Sequence, residues 1–209
     1  MGEAGAKGLT AAAIAAPQGQ VLAISALPHL GDQSGPALAA VLAAPQLVAR
    51  NENVTRELQL GLIALGASEL PTQKEFFDRQ SGEVQSRLVS GSLSSAAGAA
   101  PLLVQILGDA TLLPAVRKAA AEALAQQQSD PTGAVAALVV IVQDPGQPAD
   151  LRLTAIQTLG SYATTASTAL PLLKSIGSEP SSDLQIPAIL ALGKIGPGRP
   201  DIMALLTAR

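Results

Sequence analysis

The sequence predicts an all-α protein in which a pair of helices recurs about six times and is followed by one terminal helix. The first observation is composition: 48% of the 209 residues are hydrophobic, yet only two Phe and one Tyr are aromatic and there is no Trp. The second is a motif of apolar residues that returns every 35 residues in the later part of the chain. The third is that glycine and proline lie at the boundaries set by this motif, where helices are expected to begin and end.

The composition favours closely spaced helices over a compact globular core. Such a core usually draws much of its buried area from aromatic side chains, and here the only aromatic residues are Phe76, Phe77 and Tyr162. The interior must therefore be filled by Ala, Leu, Val and Ile. Ala and Leu are also the strongest helix formers among the apolar residues, so the composition indicates thin layers of helices.

The first helix of each pair is visible as an aligned apolar segment. Three such segments follow one another at intervals of 35 residues: PLLVQIL (101–107), AALVVIV (136–142) and PLLKSIG (171–177). An isoleucine stands at the same place in each, at Ile106, Ile141 and Ile176. A leucine aligns in the same way, at Leu103, Leu138 and Leu173. Repetition at several positions together indicates one structural unit that recurs.

A second apolar segment follows each of these. It is found at VRKAAAEAL (116–124), LRLTAIQTL (151–159) and LQIPAILAL (184–192), and in looser form at ELQLGLIAL (57–65) and LAISALPHL (22–30). Four residues before the last leucine of each stands a small residue, namely Ala26, Gly61, Ala120, Ala155 or Ala188. Residues at i and i+4 share a helix face, so the small one lets a neighbouring helix approach closely. The copy at 84–93 has Val89 at this place and is the most divergent.

Glycine, proline and aspartate mark the helix boundaries. Glycine directly follows the last leucine of several second helices, at Gly31, Gly66, Gly160 and Gly193. At such positions the helix ends with a positive φ or runs on for another turn. Pro101 and Pro171 are expected in the first turn of first helices, and Pro187, about one turn inside its predicted helix, predicts a late start or a slight bend. Asp150 and Asp183 are predicted N-caps of second helices.

These signals divide the chain into helix pairs. We predict first and second helices at about 7–16 and 19–30, 35–48 and 53–66, 70–79 and 83–96, 100–108 and 112–127, 132–143 and 149–163, and 167–177 and 183–195, with a last helix at 199–208. The pairs form one repeat domain over 1–209, with repeats at about 5–31, 34–66, 69–96, 98–127, 131–163 and 166–195 and a half-repeat at 198–209. One pair is too thin to bury its own apolar face, so neighbouring pairs must stack.

The repeat resembles HEAT repeats, including the variant first noted in phycobilin lyases. The shared pattern is PLL-x-x-(I/L), a turn that contains Asp, and (V/L)R-x-x-A-x-x-x-L(G); it covers nearly the whole chain and is sharp over about 98–196. Gln185 stands where the pattern prefers Arg. The resemblance implies a right-handed α-α superhelix, a solenoid with first helices on the convex face and second helices lining the concave face. It specifies architecture and not function, because one scaffold hosts many roles.

The resemblance also assigns a structural role to two arginines. In such repeats the Arg of the second helix is similar to a rung of a ladder, bonded to an Asp or a carbonyl group in an inter-repeat turn. Arg117 and Arg152 occupy this place, and Asp109 and Asp144 are the expected partners. A ligand-binding role for the two arginines is the alternative.

The residue types needed for most catalytic and metal sites are missing. Cysteine is absent and His29 is the only histidine, so the usual zinc and other transition-metal ligand sets cannot be assembled. A Ser–His–Asp triad would have to use His29, and no serine lies in a G-x-S-x-G elbow. We expect His29 to be a partly exposed residue beside a turn rather than a general base or a metal ligand. The sequence therefore predicts no catalytic, cofactor-binding or metal-binding residue and a protein that is not an enzyme.

Charge and hydropathy restrict the partners and the compartment. The chain has 13 basic and 16 acidic residues without a basic block, so no nucleic-acid partner is expected. No run of about 18 apolar residues occurs, which predicts a soluble protein without a membrane span. The apolar stretch at 9–16 after Lys7 is similar to a signal peptide, but Glu3 favours a soluble helix. Low lysine content and many Gln, Ser, Thr and Pro residues favour a periplasmic protein, and a cytoplasmic protein is the alternative.

Three aromatic residues are candidate partner contacts. Adjacent Phe76 and Phe77 diverge by about 100° on a helix, so both cannot point into one narrow seam. One of them is a candidate for an exposed anchor, since aromatic residues are enriched at interface hot spots; the alternative is that both cover a weakly formed third repeat. Tyr162, just past a second helix, is a candidate for the concave face near a turn, with core packing as the alternative.

The favoured function is a non-catalytic scaffold that binds a protein partner, whose identity the sequence does not reveal, on its concave helical surface. The alternative is an accessory factor for chromophore attachment, as the resemblance to phycobilin lyases suggests, although Tyr, Trp and His are scarce. DNA binding in a basic concave groove, as in some HEAT-repeat glycosylases, fits thirteen scattered basic residues poorly.

The last predicted helix presents Ile202, Leu205 and Leu206 with no following helix to cover them. Solenoid ends normally carry a polar cap. We therefore expect either that the chain is part of a longer array or that two copies pair end to end through this helix.

Overall fold

The computed structural model describes residues 3–15, 19–44, 52–179, 182–200 and 202–203, and within these ranges the chain is helical and contains no strand. The α-helices formed there are α1 Glu3–Ala15, α2 Gln20–Ala26, α3 Ser34–Leu42, α4 Glu52–Ala64, α5 Leu70–Asp78, α6 Gly82–Arg87, α7 Ala100–Gly108, α8 Pro114–Gln127, α9 Pro131–Gln143, α10 Ala149–Ser161, α11 Leu170–Ser178 and α12 Gln185–Ile195. Short 3-10 helices lie at Leu27–His29, Gly31–Gln33, Ala67–Glu69 and Ala163–Ala169, and a π-helix at Leu88–Leu93 continues α6. The predicted all-α class is confirmed.

The helices lie close to the positions that the repeat predicts. From α7 to α12, no helix end differs from its predicted place by more than three residues. α3 is shorter than predicted, because it ends at Leu42 and residue 43 is already in a turn; residues 45–48 of the predicted span lie outside the described residues. Of the predicted last helix, the described residues 200, 202 and 203 are helical.

The helices form two compact units. The first comprises Met1–Leu88 and Ala96–Ala99 and contains α1 to α6. The second comprises Val89–Ser95 and Ala100–Arg209 and contains α7 to α12. The single repeat domain over 1–209, with its division into repeats, stays a prediction.

In the first unit, α2 packs against α1 and α4, and α3 packs against α1. Its core is aliphatic, with Ile24, Leu38 and Leu58 fully buried. Gly61 of α4 lies where an added Cβ would come within 3.3 Å of side-chain atoms of Leu38 and Pro28. The small residue predicted at this place therefore does allow a close approach of its neighbours.

In the second unit, each first helix packs against the second helix of its pair: α7 on α8, α9 on α10 and α11 on α12. The second helices also pack side by side, with α10 lying against both α8 and α12. The residues that repeat every 35 positions are all buried, namely Ile106, Ile141, Ile176, Leu103, Leu138 and Leu173. The residues that repeat in the sequence thus belong to the core of this unit.

Gly160 lies in the last turn of α10 and not beyond the end of the helix. α10 continues to Ser161, and a Cβ on Gly160 would come within 3.3 Å of both Cα and Cβ of Ala191 in α12. The absence of a side chain therefore allows α10 and α12 to pack closely. Gly66, by contrast, follows the end of α4 with a φ of +95°, in the left-handed region that favours glycine.

The two predicted N-caps are wrong, and the local backbone explains why. α10 begins directly after Pro148, whose extended conformation precedes the first helical residue, so Asp150 lies within the first turn. α12 begins two residues after Asp183. This late start, which was predicted, places Pro187 in the first turn, where its missing N–H interrupts no helical hydrogen bond.

Replacement of Gly160 by Leu tests the close packing of α10 on α12. The added side chain must displace α12, so we expect Gly160→Leu to lower the free energy of unfolding by about 1–3 kcal/mol. Gly108→Leu is the matched control, because Gly108 is exposed and a Cβ there would meet nothing within 4 Å. Urea unfolding followed by circular dichroism measures both variants, and equal losses would contradict the packing role of Gly160.

Candidate functional site

Arg117 of α8 binds the end of the preceding first helix. Its side chain is only 4% exposed, and its Nε donates a hydrogen bond to the Leu107 carbonyl at 2.9 Å. Its Nη1 donates to Oε1 of Gln147 at 2.8 Å, in the loop between α9 and α10. Burial lowers the pKa of Arg117, while the negative charges of Asp109 and Asp144 act in the opposite direction. The guanidinium is thus a buried cation that binds oxygen atoms of two successive helix pairs.

The same bond recurs in the next pair. Arg152 of α10 donates from Nε and Nη2 to the Val142 carbonyl at 3.2 and 3.0 Å. The donor and the acceptor each lie 35 residues beyond those of the previous pair. A hydrogen bond therefore recurs at the same interval as the core residues.

Glutamine takes the place of arginine in two further pairs. Nε2 of Gln85 in α6 donates to the Phe77 carbonyl at 3.1 Å, and Nε2 of Gln185 in α12 donates to the Gly177 carbonyl at 3.3 Å. In all four pairs the acceptor belongs to the second-last residue of the first helix. This is one of the four carbonyl groups at a helix end that have no partner within the helix. We call this contact the penultimate-carbonyl bond.

Alignment of the sequence segments identified only two of the four donors. Gln185 stood out as a departure from the pattern, and Gln85 was not singled out. The place of Gln85 in the sequence could have identified it as a donor, since it directly follows Val84 at the start of the divergent copy. Side-chain N–H groups of both Arg and Gln can donate to a carbonyl, so the bond is kept while the residue type changes.

Asp144 is connected to Arg117 through Gln147. Its Oδ1 accepts from the backbone N–H of Gly146 at 2.9 Å, and its Oδ2 accepts from Nε2 of Gln147 at 2.6 Å. The hydrogen bond from Gln147 and then that from Gly146 lower the pKa of Asp144, with smaller contributions from the charges of Arg152 and Arg117. Asp144 therefore orients Gln147, whose other amide atom accepts from the arginine.

Asp109 lies in the turn that follows α7. Its Oδ1 accepts hydrogen bonds from the backbone N–H and the hydroxyl of Thr111, at 2.9 and 2.6 Å. Its charge acts on Arg117, as that of Asp144 does. The inter-repeat ladder of Asp109, Arg117, Asp144 and Arg152 stays a prediction, and the carbonyl groups and Gln147 are the acceptors that the structure places at the arginines.

The three aromatic residues are buried. Phe77 is 0% exposed, and Phe76 and Tyr162 are each 4% exposed. The Tyr162 hydroxyl donates a hydrogen bond to the Leu124 carbonyl near the end of α8, at 3.0 Å. None of the three side chains is therefore accessible to a partner, and all three pack in the interior.

Other candidate groups do not come together in the part of the chain that the structure describes. His29 is exposed beside the turn before α3. Among the described residues, no cluster of three or more His, Asp or Glu side chains is placed to hold a metal ion. No described helix has the length and apolar character needed to cross a membrane. Ile202 is buried and so does not present an uncovered end, while Leu205 and Leu206 lie outside the described residues.

The second helices of the second unit share one outward surface, which we call the second-helix face. A groove of about 630 Å³ lies between α8 and the start of α10, one of about 430 Å³ between the starts of α10 and α12, and one of about 340 Å³ further along α10 and α12. Two aligned positions on this face are occupied by Lys118 and Glu122 in α8, Leu153 and Gln157 in α10, and Ile186 and Leu190 in α12. The face is therefore charged at α8 and apolar at α12.

Comparison of the chain with protein-family models, with curated proteins and with solved structures returned no match. Function is therefore inferred from the residues and their geometry.

Substitution of Arg117 tests the penultimate-carbonyl bond. Arg117→Met leaves the Leu107 carbonyl and the Gln147 amide without their donor, so we expect the free energy of unfolding to fall by about 1.5–3 kcal/mol, the range for hydrogen bonds of charged groups. Arg117→Gln is the matched variant and should lose less, because glutamine makes the equivalent bond at Gln85 and Gln185. If urea unfolding shows the two variants to be equally unstable, the bond to the carbonyl is not what stabilises the pair.

Tyr162 should make the stability of the protein depend on pH in the alkaline range. Burial, with a smaller effect of the Asp130 charge, raises the pKa of Tyr162 to about 12. The phenol of the unfolded chain has a pKa of about 10, so between these values the unfolded chain releases a proton that the folded chain keeps. Stabilisation by the neutral phenol is complete below about pH 10 and is lost as the pH rises through about 12, by roughly 2–3 kcal/mol.

The measurement is direct because Tyr162 is the only Tyr and the chain has no Trp. Ultraviolet absorbance of tyrosinate then follows this one residue, and we expect a transition near pH 12 in the folded protein. Tyr162→Phe is the control for unfolding experiments and should show a weaker loss of stability over the same pH range. A tyrosinate transition near pH 10 in the folded protein would refute the effect of burial.

Proposed function

We propose that this protein is a non-catalytic scaffold of HEAT-like repeats that binds a protein partner on its second-helix face. In this proposal the helix pairs stack into a right-handed α-α superhelix, and the second-helix face is its concave surface. The observation that carries the proposal is the penultimate-carbonyl bond, which recurs after 35 residues at Arg117 and Arg152. Recurrence of one structural unit with different outward residues is typical of repeat proteins that bind partners along an extended surface.

The chemistry of the second-helix face supports a protein partner. Leu113, Ile186 and Leu190 are more than half exposed. Charged groups such as Lys118 and Glu122 line the groove beside Leu113. Contiguous exposed apolar side chains beside polar residues mark interaction sites, and protein interfaces combine apolar and polar regions.

Hydrogen bonds between second helices hold this face in place. The Thr158 hydroxyl of α10 donates to the Ala121 carbonyl of α8 at 3.2 Å. The bond from Tyr162 to Leu124 joins the far ends of the same two helices. Both bonds are buried, so α10 cannot slide along α8 without leaving polar groups unpaired. A surface that is ordered before binding loses less conformational entropy when a partner binds.

Charge exchange on α8 tests the proposal. The double variant Lys118→Glu with Glu122→Lys keeps the net charge but inverts the local field of the second-helix face, so a bound protein should be released at least about tenfold more readily. The matched control is Gln105→Glu with Gln143→Lys, at exposed positions of the first helices α7 and α9. Quantitative affinity capture with the immobilised chain measures all three proteins.

Two results would count against the scaffold. One is capture that never exceeds that of an unrelated immobilised protein. The other is equal capture by the wild type, the charge-exchanged variant and the first-helix control, since the partner would then bind elsewhere.

A further inference from the structure

α12 carries a pair of aliphatic side chains that its own unit leaves uncovered. Ile186 is 69% exposed and Leu190 is 62% exposed, and they are four residues apart on one helix face. At the aligned positions α8 has Lys118 and Glu122 instead. An aliphatic ridge is therefore not a requirement of the repeat, since the same fold accepts a charged pair there.

The pair lines one side of a groove. The groove of about 340 Å³ between α10 and α12 is lined by Gln157, Gly160, Ile186, Leu190, Ala191 and Lys194, among others. Between the two helices lie the buried residues Gly160 and Ala191, where a Cβ on Gly160 would come within 3.3 Å of Ala191. The groove therefore offers aliphatic contact along its length.

One end of the groove carries a single positive charge. Lys194 is exposed, and the carbon chain of its side chain runs beside Gly160, 3.6 Å from the place of a Cβ there. Of the described residues that line the groove, it alone is charged. No acidic side chain among the described residues forms an ion pair with it. The distance from Ile186 to Lys194 along α12 is about 12 Å, a little over two helical turns.

We propose that this groove binds an amphipathic helix of the partner protein, with aliphatic side chains against Ile186 and Leu190 and a carboxylate paired with Lys194. The proposal rests on the proposed scaffold function and specifies the partner segment that it recognises. Charge complementarity determines the acidic end, because among the described residues Lys194 is the one charged group in the groove lining and no described acid pairs with it. Ridges of one helix pack into the groove between two others, and aliphatic anchors at spacings of three, four or seven residues are the usual form of helix-in-groove recognition.

Selection from a displayed library of random peptides of about 16 residues tests the proposal with the whole chain as target. Peptides are retained on the wild type after counter-selection on Ile186→Asp with Leu190→Glu. We expect the retained peptides to combine aliphatic residues at helical spacing with an Asp or Glu one or two turns away. In fluorescence anisotropy, Leu190→Glu should weaken their binding at least about tenfold. Lys194→Glu should weaken the binding of acidic peptides and strengthen the binding of versions in which the acid is replaced by Lys.

The control lies at the aligned position of α8. Glu122→Lys changes a charge on the same face outside the groove and should alter binding of the selected peptides less than about twofold. All substituted side chains are exposed, so thermal unfolding by circular dichroism should match the wild type. If Leu190→Glu unfolds early, Leu190→Gln replaces it in the same measurement.

Several outcomes would overturn the proposal. These are the absence of any enriched peptide, enriched peptides without acidic residues, and binding that Leu190→Glu or Lys194→Glu leaves unchanged. Wild-type chain that co-sediments with phosphatidylcholine–phosphatidylserine vesicles, but not after Leu190→Glu, would also overturn it in favour of a lipid surface. A parallel selection without counter-selection separates the two proposals. Peptides from it that are lost on exchange of Lys118 and Glu122 but still bind Leu190→Glu would overturn the groove and leave the scaffold function standing.

Discussion

The hydrogen bond from a second helix to the penultimate carbonyl of the first helix is the contact on which the rest of the structure depends. The last carbonyl groups of a helix have no donor within it, and a buried carbonyl without a donor is costly in free energy. Here a long side chain in the first turn of the following helix reaches back to that carbonyl, as Arg117 and Arg152 do in the second unit. The bond joins the first turn of the second helix to the end of the first helix.

Once the pairs are formed, small residues decide how the second helices pack on one another. Ala120, Ala155 and Ala188 are fully buried, and Gly160 allows α10 to lie close to Ala191 of α12. Packing therefore occupies the inward and lateral sides of each second helix and leaves one side outward. Residues on that outward side vary from charged to aliphatic without disturbing the bonds within a pair. A repeated backbone frame with outward residues that differ between repeats is what the proposed partner-binding role requires.

Most of the helices could be predicted from the sequence, because the same apolar residues must be buried in each repeat and so recur at a fixed interval. The aligned isoleucines, such as Ile106 and Ile141, are core residues for this reason. The late start of α12 also followed from sequence, since Pro187 cannot lie deep inside a helix. The N-cap of α10 was predicted wrongly, because Asp150 was preferred to Pro148, which directly precedes the first helical residue.

The sequence by itself determined the helical class, the period and the core, because these follow from local spacing and from the burial that every repeat needs. The tertiary structure decided the rest of the candidate site. Gln85 shares the role of Arg117, Phe76 and Phe77 are both buried, and a groove lies between α10 and α12. Each of these depends on which atoms of another helix come within reach, and spacing along a single helix does not contain that information.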